Sequence, residues 1–415
     1  MKNRYYKIAL VALLAVLFPI SAMAQIGQTQ YSRPTSSDGL TFFESSKADQ
    51  AAFDGLKIYW GAAFTQQFQA LSHENSGAVE LLDIGNGFNL ATANLNLNAQ
   101  LADGIQVNLV TYLSSRHHSE AWVKGGFLQV DKLEMLNSEA INNLMKYVTI
   151  RAGHFEVNYG DAHFRRTDNG NALYNPFVGN LIMDSFATEI GAEVMVQKDG
   201  IFGLVAMTNG EIKGTVASPD DRGASMIGKV GFDRQMNEDL RVRISGSVYT
   251  TSKTLSNTLY AGDRAGSRFY DVLVAKSGDD FRNGRINPGF KNEVTAIQIN
   301  PMVKFQDLEL HGVYETANGA AKDKDSRTFD QIAVDVIYRF DTLFLGARYN
   351  TVNGDLETGE NVTVDRIQIG GGWFLTPNIL MKATYVSQTY NDYPAGSIYE
   401  NGKFNGVTIE GVVAF

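Results

Sequence analysis

The sequence predicts an all-β fold: a closed antiparallel transmembrane β-barrel of sixteen strands. Three observations predict it. From Leu56 onward apolar residues recur at every second position, the period of a strand with one apolar face. The positions between them are polar: Leu95, Leu97, Ala99 and Leu101 alternate with Asn94, Asn96, Asn98 and Gln100, so the second face is wet. Short turns also alternate with long connections, as in membrane barrels whose two rims differ.

The amino end carries Lys2, Arg4 and Lys7 before an apolar run from Ile8 to Ile20 and small residues up to Ala24. This pattern predicts a secretory signal peptide over residues 1–24, cleaved after Ala24. The run is shorter than the roughly 20 apolar residues of a membrane helix. The sequence contains no Cys, which excludes a disulfide framework, thiolate metal sites and a lipid-bearing Cys after the cleavage point. Losing those three cations takes the formal charge from -9 to -12, so nucleic acid, which requires a basic face, is not an expected partner. A high Gly count of 40 and only 8 Pro fit sheet.

Residues 25–55 are polar and lack a sustained period, which reads as a flexible periplasmic N-terminal arm, with a short plug or a strand as the other readings. The barrel is expected over 56–415. Alternation places strands at 56–69, 87–101, 104–116, 121–130, 146–153, 187–197, 201–209, 223–233, 239–251, 292–305, 308–316, 329–340, 343–351, 362–374, 379–390 and 404–415. Turn-forming residues follow the even strands, at 102–104, 198–200, 234–238, 306–307, 341–342 and 376–378. The longest connections, 154–186 and 252–291, follow odd strands. One even connection, 131–145, has the pattern of a short amphipathic helix. A soluble sandwich of so many strands would leave exposed edges, which closure removes. The chain ends TIEGVVAF, and Val407, Ile409, Gly411, Val413 and Phe415 share one face. This end resembles the terminal strand of Gram-negative outer-membrane proteins, and the resemblance implies recognition of Phe415 by the barrel-assembly machinery.

Parity assigns the faces. With the apolar partners towards lipid, the lumen receives eleven cations: Lys57, Lys124, Arg151, Lys229, Arg241, Arg243, Lys304, Arg339, Arg348, Arg366 and Lys382. Seven anions join them: Glu189, Glu193, Glu293, Glu309, Glu315, Asp335 and Glu410. A wet lumen of this kind suits a diffusion pore for small hydrophilic solutes with a lean towards anions. Pairing across strands is the competing fate of such charges. Arg241 and Arg243, successive inward positions with no acid between them, are expected to escape it.

The stretch 151–189 is too long for a turn and too aromatic for a disordered linker, with Phe155, Tyr159, Phe164, Tyr174, Phe177 and Phe186. It begins RAGHFEVNYGDAHFRR. Together with the architecture this resembles sixteen-stranded porins, and more narrowly the phosphate-selective porin family. The resemblance implies a third outer loop folded into the barrel and a homotrimer in outer-membrane lipid. Arg165 and Arg166 would then line the constriction, with Asp161 and Asp168 opposing or pairing them, beside luminal Arg151, Arg241, Arg243, Arg348 and Arg366. A second cationic set, Arg264, Arg268, Lys276, Arg282 and Arg285, is expected to be neutralised by Asp263, Asp271, Asp279 and Asp280.

A barrel hydrolase is the rival from another class, with His117 and His118 near Ser114, Ser115 and Ser119 as its best residues. Neighbours on a strand face opposite ways, so the two His cannot form one site. His154, His163 and Glu156 could gather round a metal, and Asp279, Asp280, Asp323 and Asp325 round calcium, but no strong ligand spacing is present. The expectation is therefore a non-enzymatic channel without cofactor or metal, with a surface or adhesin-type barrel as the alternative.

Overall fold

The computed structural model describes residues 29–47, 52–89, 91–113, 121–212, 216–262, 264, 268–278 and 281–415. The leader, His117, His118 and the acids Asp263, Asp279 and Asp280 lie outside these residues. The wall begins with β1 (Lys57–Glu74), β2 (Thr92–Ala102), β3 (Ile105–Leu113), β4 (Ala121–Val130), β5 (Val148–Glu156), β6 (Thr188–Lys198), β7 (Ile201–Thr208) and β8 (Ser225–Gln235). It continues with β9 (Leu240–Thr251), β10 (Glu293–Phe305), β11 (Leu308–Ala320), β12 (Arg327–Phe340), β13 (Leu343–Asp355), β14 (Asn361–Thr376), β15 (Ile379–Asn391) and β16 (Lys403–Ala414). Each strand pairs antiparallel with its chain neighbours, and β16 closes on β1, with Ala414 opposite Ala63 and Lys403 opposite Glu74.

The second strand starts later than its alternation suggests. Gly87–Phe88 pairs separately with Gln69 and Phe68 of β1, and the ladder to β2 runs only from Thr92. Several strands also run further towards the long-loop rim than expected, β11 to Ala320 and β13 to Asp355. There the outward positions turn polar, and Asn318 donates to Thr328 Oγ1 (3.0 Å) and Asn353 to Thr363 Oγ1 (3.0 Å). The backbone ladder thus outlasts the apolar band that made the strand visible.

The wall inverts the usual arrangement of a water-soluble protein. On β14, outward Ile369 is 57% exposed and its inward neighbour Gln368 0%. On β12, Ile332, Val334 and Val336 face out while Gln331 and Asp335 are buried. Trp60, Phe305, Phe340, Trp373 and Phe415 are exposed near the short-turn rim, as an aromatic girdle requires. At that rim Asp199 and Gly200 both have positive φ (53° and 85°), the type I′ geometry that matches strand twist. A side chain at Gly200 would meet the Asp233 carbonyl at 2.9 Å. The connection after β4 contains α1 (Glu139–Met145), whose first turn is capped by Ser138 Oγ accepting from Ile141 N.

Buried apolar clusters lie between connections and wall. Val157, Ile182, Met183, Leu259, Phe269 and Phe290 pack with Phe329, Val352, Val386 and Phe404 of the strands. Nearer the short turns, Leu173 and Phe177 pack with Ile337, Phe344, Phe374, Leu380 and with Leu40. Leu40 belongs to the segment read as an N-terminal arm, and residues 29–47 of that segment contact the wall. Gln30 N donates to Gln100 Oε1 (2.8 Å), Gln106 Nε2 to the Gln30 carbonyl (2.8 Å), and Lys47 pairs with Asp131 (3.2 Å). A short 3-10 turn, Ser37–Thr41, carries the chain across the short-turn mouth.

Candidate functional site

The connection 157–187 has no strand partner, so its backbone groups need others. The inner face of the wall supplies them. Lys382 Nζ donates to the carbonyls of Ala172, Asn175 and Phe177 at 3.0, 2.9 and 3.0 Å. Arg366 donates to Asn180 O (2.5 Å) and Gly284 O (2.7 Å), and Gln368 to Val178 O (2.7 Å). Gln331 holds Met183 through both its N–H and carbonyl (2.9 Å each), and Asn350 Oδ1 accepts from Ile182 N (2.7 Å). Polar residues every second place along β12–β15 therefore replace the ladder this segment lacks.

Seven of the nominated charges fall into three groups. Asp161 accepts two bonds from Arg243 (2.7 Å each) and one ion pair from Lys229 (2.8 Å). Arg241 and Arg243 both reach Asp233, at 2.7 and 3.0 Å, which overturns the expectation that they lack acidic partners. The acids come from β8, from the connection and, through Glu44, from the arm; reading one strand at a time could not find them. Arg166 pairs with Asp184 through two bonds (2.9 and 2.7 Å), with Asp168 further off at 4.0 Å. Asp168 pairs with Lys124 and, at 3.1 Å, with Arg264. Arg165 donates to the Leu40 carbonyl (2.5 Å) and lies 3.9 Å from Asp335, which Arg348 holds at 2.6 Å. Arg165 and Arg166 are each only 6% exposed, and beside them is space of about 40 Å³, room for little more than a water.

Larger open volume lies along β4–β6. A cavity of about 260 Å³ is lined by Arg33, Phe42, Glu44, Phe127, Arg151, Glu156, His163, Phe164 and Glu193. Phe42, Phe43 and Glu44 separate it from a vestibule of about 770 Å³ at the short-turn rim, which they also line. Of the nominated cations, Arg151 lines the inner cavity; its side chain is 25% exposed and 3.5 Å from Glu193. His163 sits between Glu156 Oε1 (2.7 Å) and Asn158 Oδ1 (3.0 Å). Among the described residues no group of three or more His, Cys, Asp or Glu is arranged to hold a metal.

Burial pushes the Asp161 and Glu44 carboxyls up, but Lys229 and Arg243 beside them outweigh it and hold both below the usual carboxylate range. Sequence reasoning missed Arg33, Glu44, Asp184 and Asp233. One signal was present: Phe42 and Phe43 are adjacent aromatics in a stretch otherwise read as mobile, and disordered segments hold few.

No family model and no curated protein sequence matches the chain. Among solved structures it is similar to a loop-deletion mutant of OmpT, an outer membrane protein of Vibrio cholerae, with TM-score 0.52 and 12% identity over 87% of this chain and 100% of that one. It is similar to the anion-selective porin from Comamonas acidovorans (TM-score 0.52, 11% identity, 87% and 100% covered) and to OprB of Pseudomonas putida (0.52, 10%, 87% and 94%). At such identities the likeness is one of fold, and the fold is the closed antiparallel barrel of outer-membrane porins and channels.

Proposed function

We propose that this chain is a porin of the Gram-negative outer membrane, a passive diffusion channel for small hydrophilic solutes that favours anions. The carrying observation is the inverted wall, apolar outside and charged inside, with open volume remaining along β4–β6. In this reading the connection 157–187 and the arm narrow the lumen, and solutes pass beside Arg33, Arg151, His163 and Phe164. The buried cations Arg165, Arg166, Arg348 and Arg366 act as tethers. The inward cations of the strands outnumber the inward acids, which lowers the barrier for phosphate-like or small organic anions. No reaction or cofactor is part of the reading. Homotrimeric assembly is included in it, supported by likeness in fold to the trimer form of the Vibrio protein (TM-score 0.51, 13% identity).

The test is the reversal potential of the purified protein in a planar bilayer under a KCl gradient. An anion preference is the expected result. Conductance with no preference, or a cation preference, retains the porin and removes the anion claim. Folded protein that does not conduct would put a surface-binding barrel ahead.

A further inference from the structure

Around residues 43 and 44 the cations of the wall outnumber the acids of wall and loop. Lys229, Arg241 and Arg243 project inward together, and two carboxylates face them, Asp233 and Asp161, the nearby Glu193 being matched by Arg151 at 3.5 Å. The third comes from the arm. Glu44 places Oε1 2.8 Å from Lys229 Nζ and Oε2 2.8 Å from Arg243 Nη2. The same guanidinium lies 4.1 Å from the ring centroid of Phe43, and that ring meets Phe164 edge-on at 5.7 Å. One arginine thus reads an aromatic ring and a carboxylate at adjacent positions. Without them the cluster would keep one buried cation in excess, which is costly unless an anion takes the place.

Besides Leu40, which packs in the apolar cluster, the arm is held through backbone carbonyls by bonds that water or a solute can replace. Arg339 donates to the Ser37 carbonyl (2.9 Å), Arg241 to that of Thr41 (3.0 Å) and Arg165 to that of Leu40 (2.5 Å). The vestibule of about 770 Å³ reaches Phe43, Glu44, Arg241 and Arg243, so a small molecule has access from the short-turn rim.

We propose that Lys229, Arg241, Arg243 and Phe164 form a binding site for a small aromatic carboxylate, and that Phe43 and Glu44 are its resident occupants, so that solute and arm compete. The inference deepens the porin reading and rests on it for the meaning of the competition, as release of a gate. Its chemistry is testable without conduction.

The probe is benzoate, with acetate and benzyl alcohol supplying the carboxylate or the ring alone. In the unaltered, detergent-folded chain, trypsin cleavage after Arg33 or Lys47 reports arm release. Benzoate should accelerate cleavage severalfold and saturably, and the two partial probes should do so far less. Glu44→Gln should cleave fast without any probe, with folding checked by heat-modifiable migration. The chain has no Cys, so Thr41→Cys offers a single buried thiol whose maleimide labelling should follow the same order. Cleavage and labelling that ignore benzoate would overturn the proposal, as would equal effects of all three probes. Failure of the porin reading is seen separately, in the bilayer conductance of the unaltered protein.

Discussion

Arg243 of β9 and Asp161 of the connection after β5 meet in a two-point ion pair, Nε to Oδ2 and Nη2 to Oδ1 both at 2.7 Å, across 82 positions of sequence. Lys229 and Glu44 complete the cluster, so wall, connection and arm share one set of charges. Removing one member leaves another buried and uncompensated. Asp161→Asn should therefore destabilise the folded barrel by on the order of 3 kcal/mol. Lys403→Ala, at a pair with Glu74 whose side chains are 49% and 64% exposed, should cost less than about 1 kcal/mol. Denaturant midpoints in detergent compare the two, and equal shifts would remove the cluster from its structural role.

The faces of the wall give a second prediction. Val334 lies mid-strand on β12, outward, opposite Gly312 and Tyr349. Val334→Arg should cost about 2 to 4 kcal/mol in the hydrocarbon and lower the yield of heat-modifiable, folded protein. Val334→Ile should fold normally. Normal folding of the Arg variant would mean that this position does not face lipid.

Acid should loosen the arm. Glu44 and Asp161 are held below the ordinary carboxylate range in the fold, so the unfolded chain takes up their protons first as pH falls. Their contribution is complete above the unfolded value, about 4, and is lost as pH drops through the lower folded values. Hydrogen exchange of residues 37–45, corrected for the intrinsic rate, should be equally protected at pH 7 and 5 and lose protection towards pH 3. Unchanged protection at pH 3 would show that these two ion pairs do not hold the arm.

What the sequence disclosed follows from the range of each signal. Strand positions rest on neighbours two residues apart, so the expected 379–390 and the observed Ile379–Asn391 nearly coincide. The signal fails where the outward face turns polar, as at Asn353, although the ladder continues there to Asp355. Inward charges were legible as inward, because one parity suffices to place Arg243 or Lys382. Their partners were not legible, since Asp161, Glu44 and the carbonyls of Ala172 and Phe177 come from segments without period. The arm shows the same limit: a chain held by Arg165, Arg241 and Arg339 through its carbonyls leaves no pattern in its own side chains.

Ion preference offers the sharpest contrast among the nominated arginines. Arg151 lines the open cavity with a quarter of its side chain exposed, whereas Arg165 and Arg166 are buried against the Leu40 carbonyl and Asp184. A charge screened by its own partner and away from water acts weakly on a passing ion, but its loss strands that partner. Arg151→Glu should leave a folded channel and move the reversal potential towards cations. Arg166→Glu would set a second acid against Asp184, and its main effect should be a lower denaturant midpoint. The two measurements on the two variants separate passage from tether. A large selectivity change in folded Arg166→Glu, with none in Arg151→Glu, would move the path of the solute from the β4–β6 side to the connection itself.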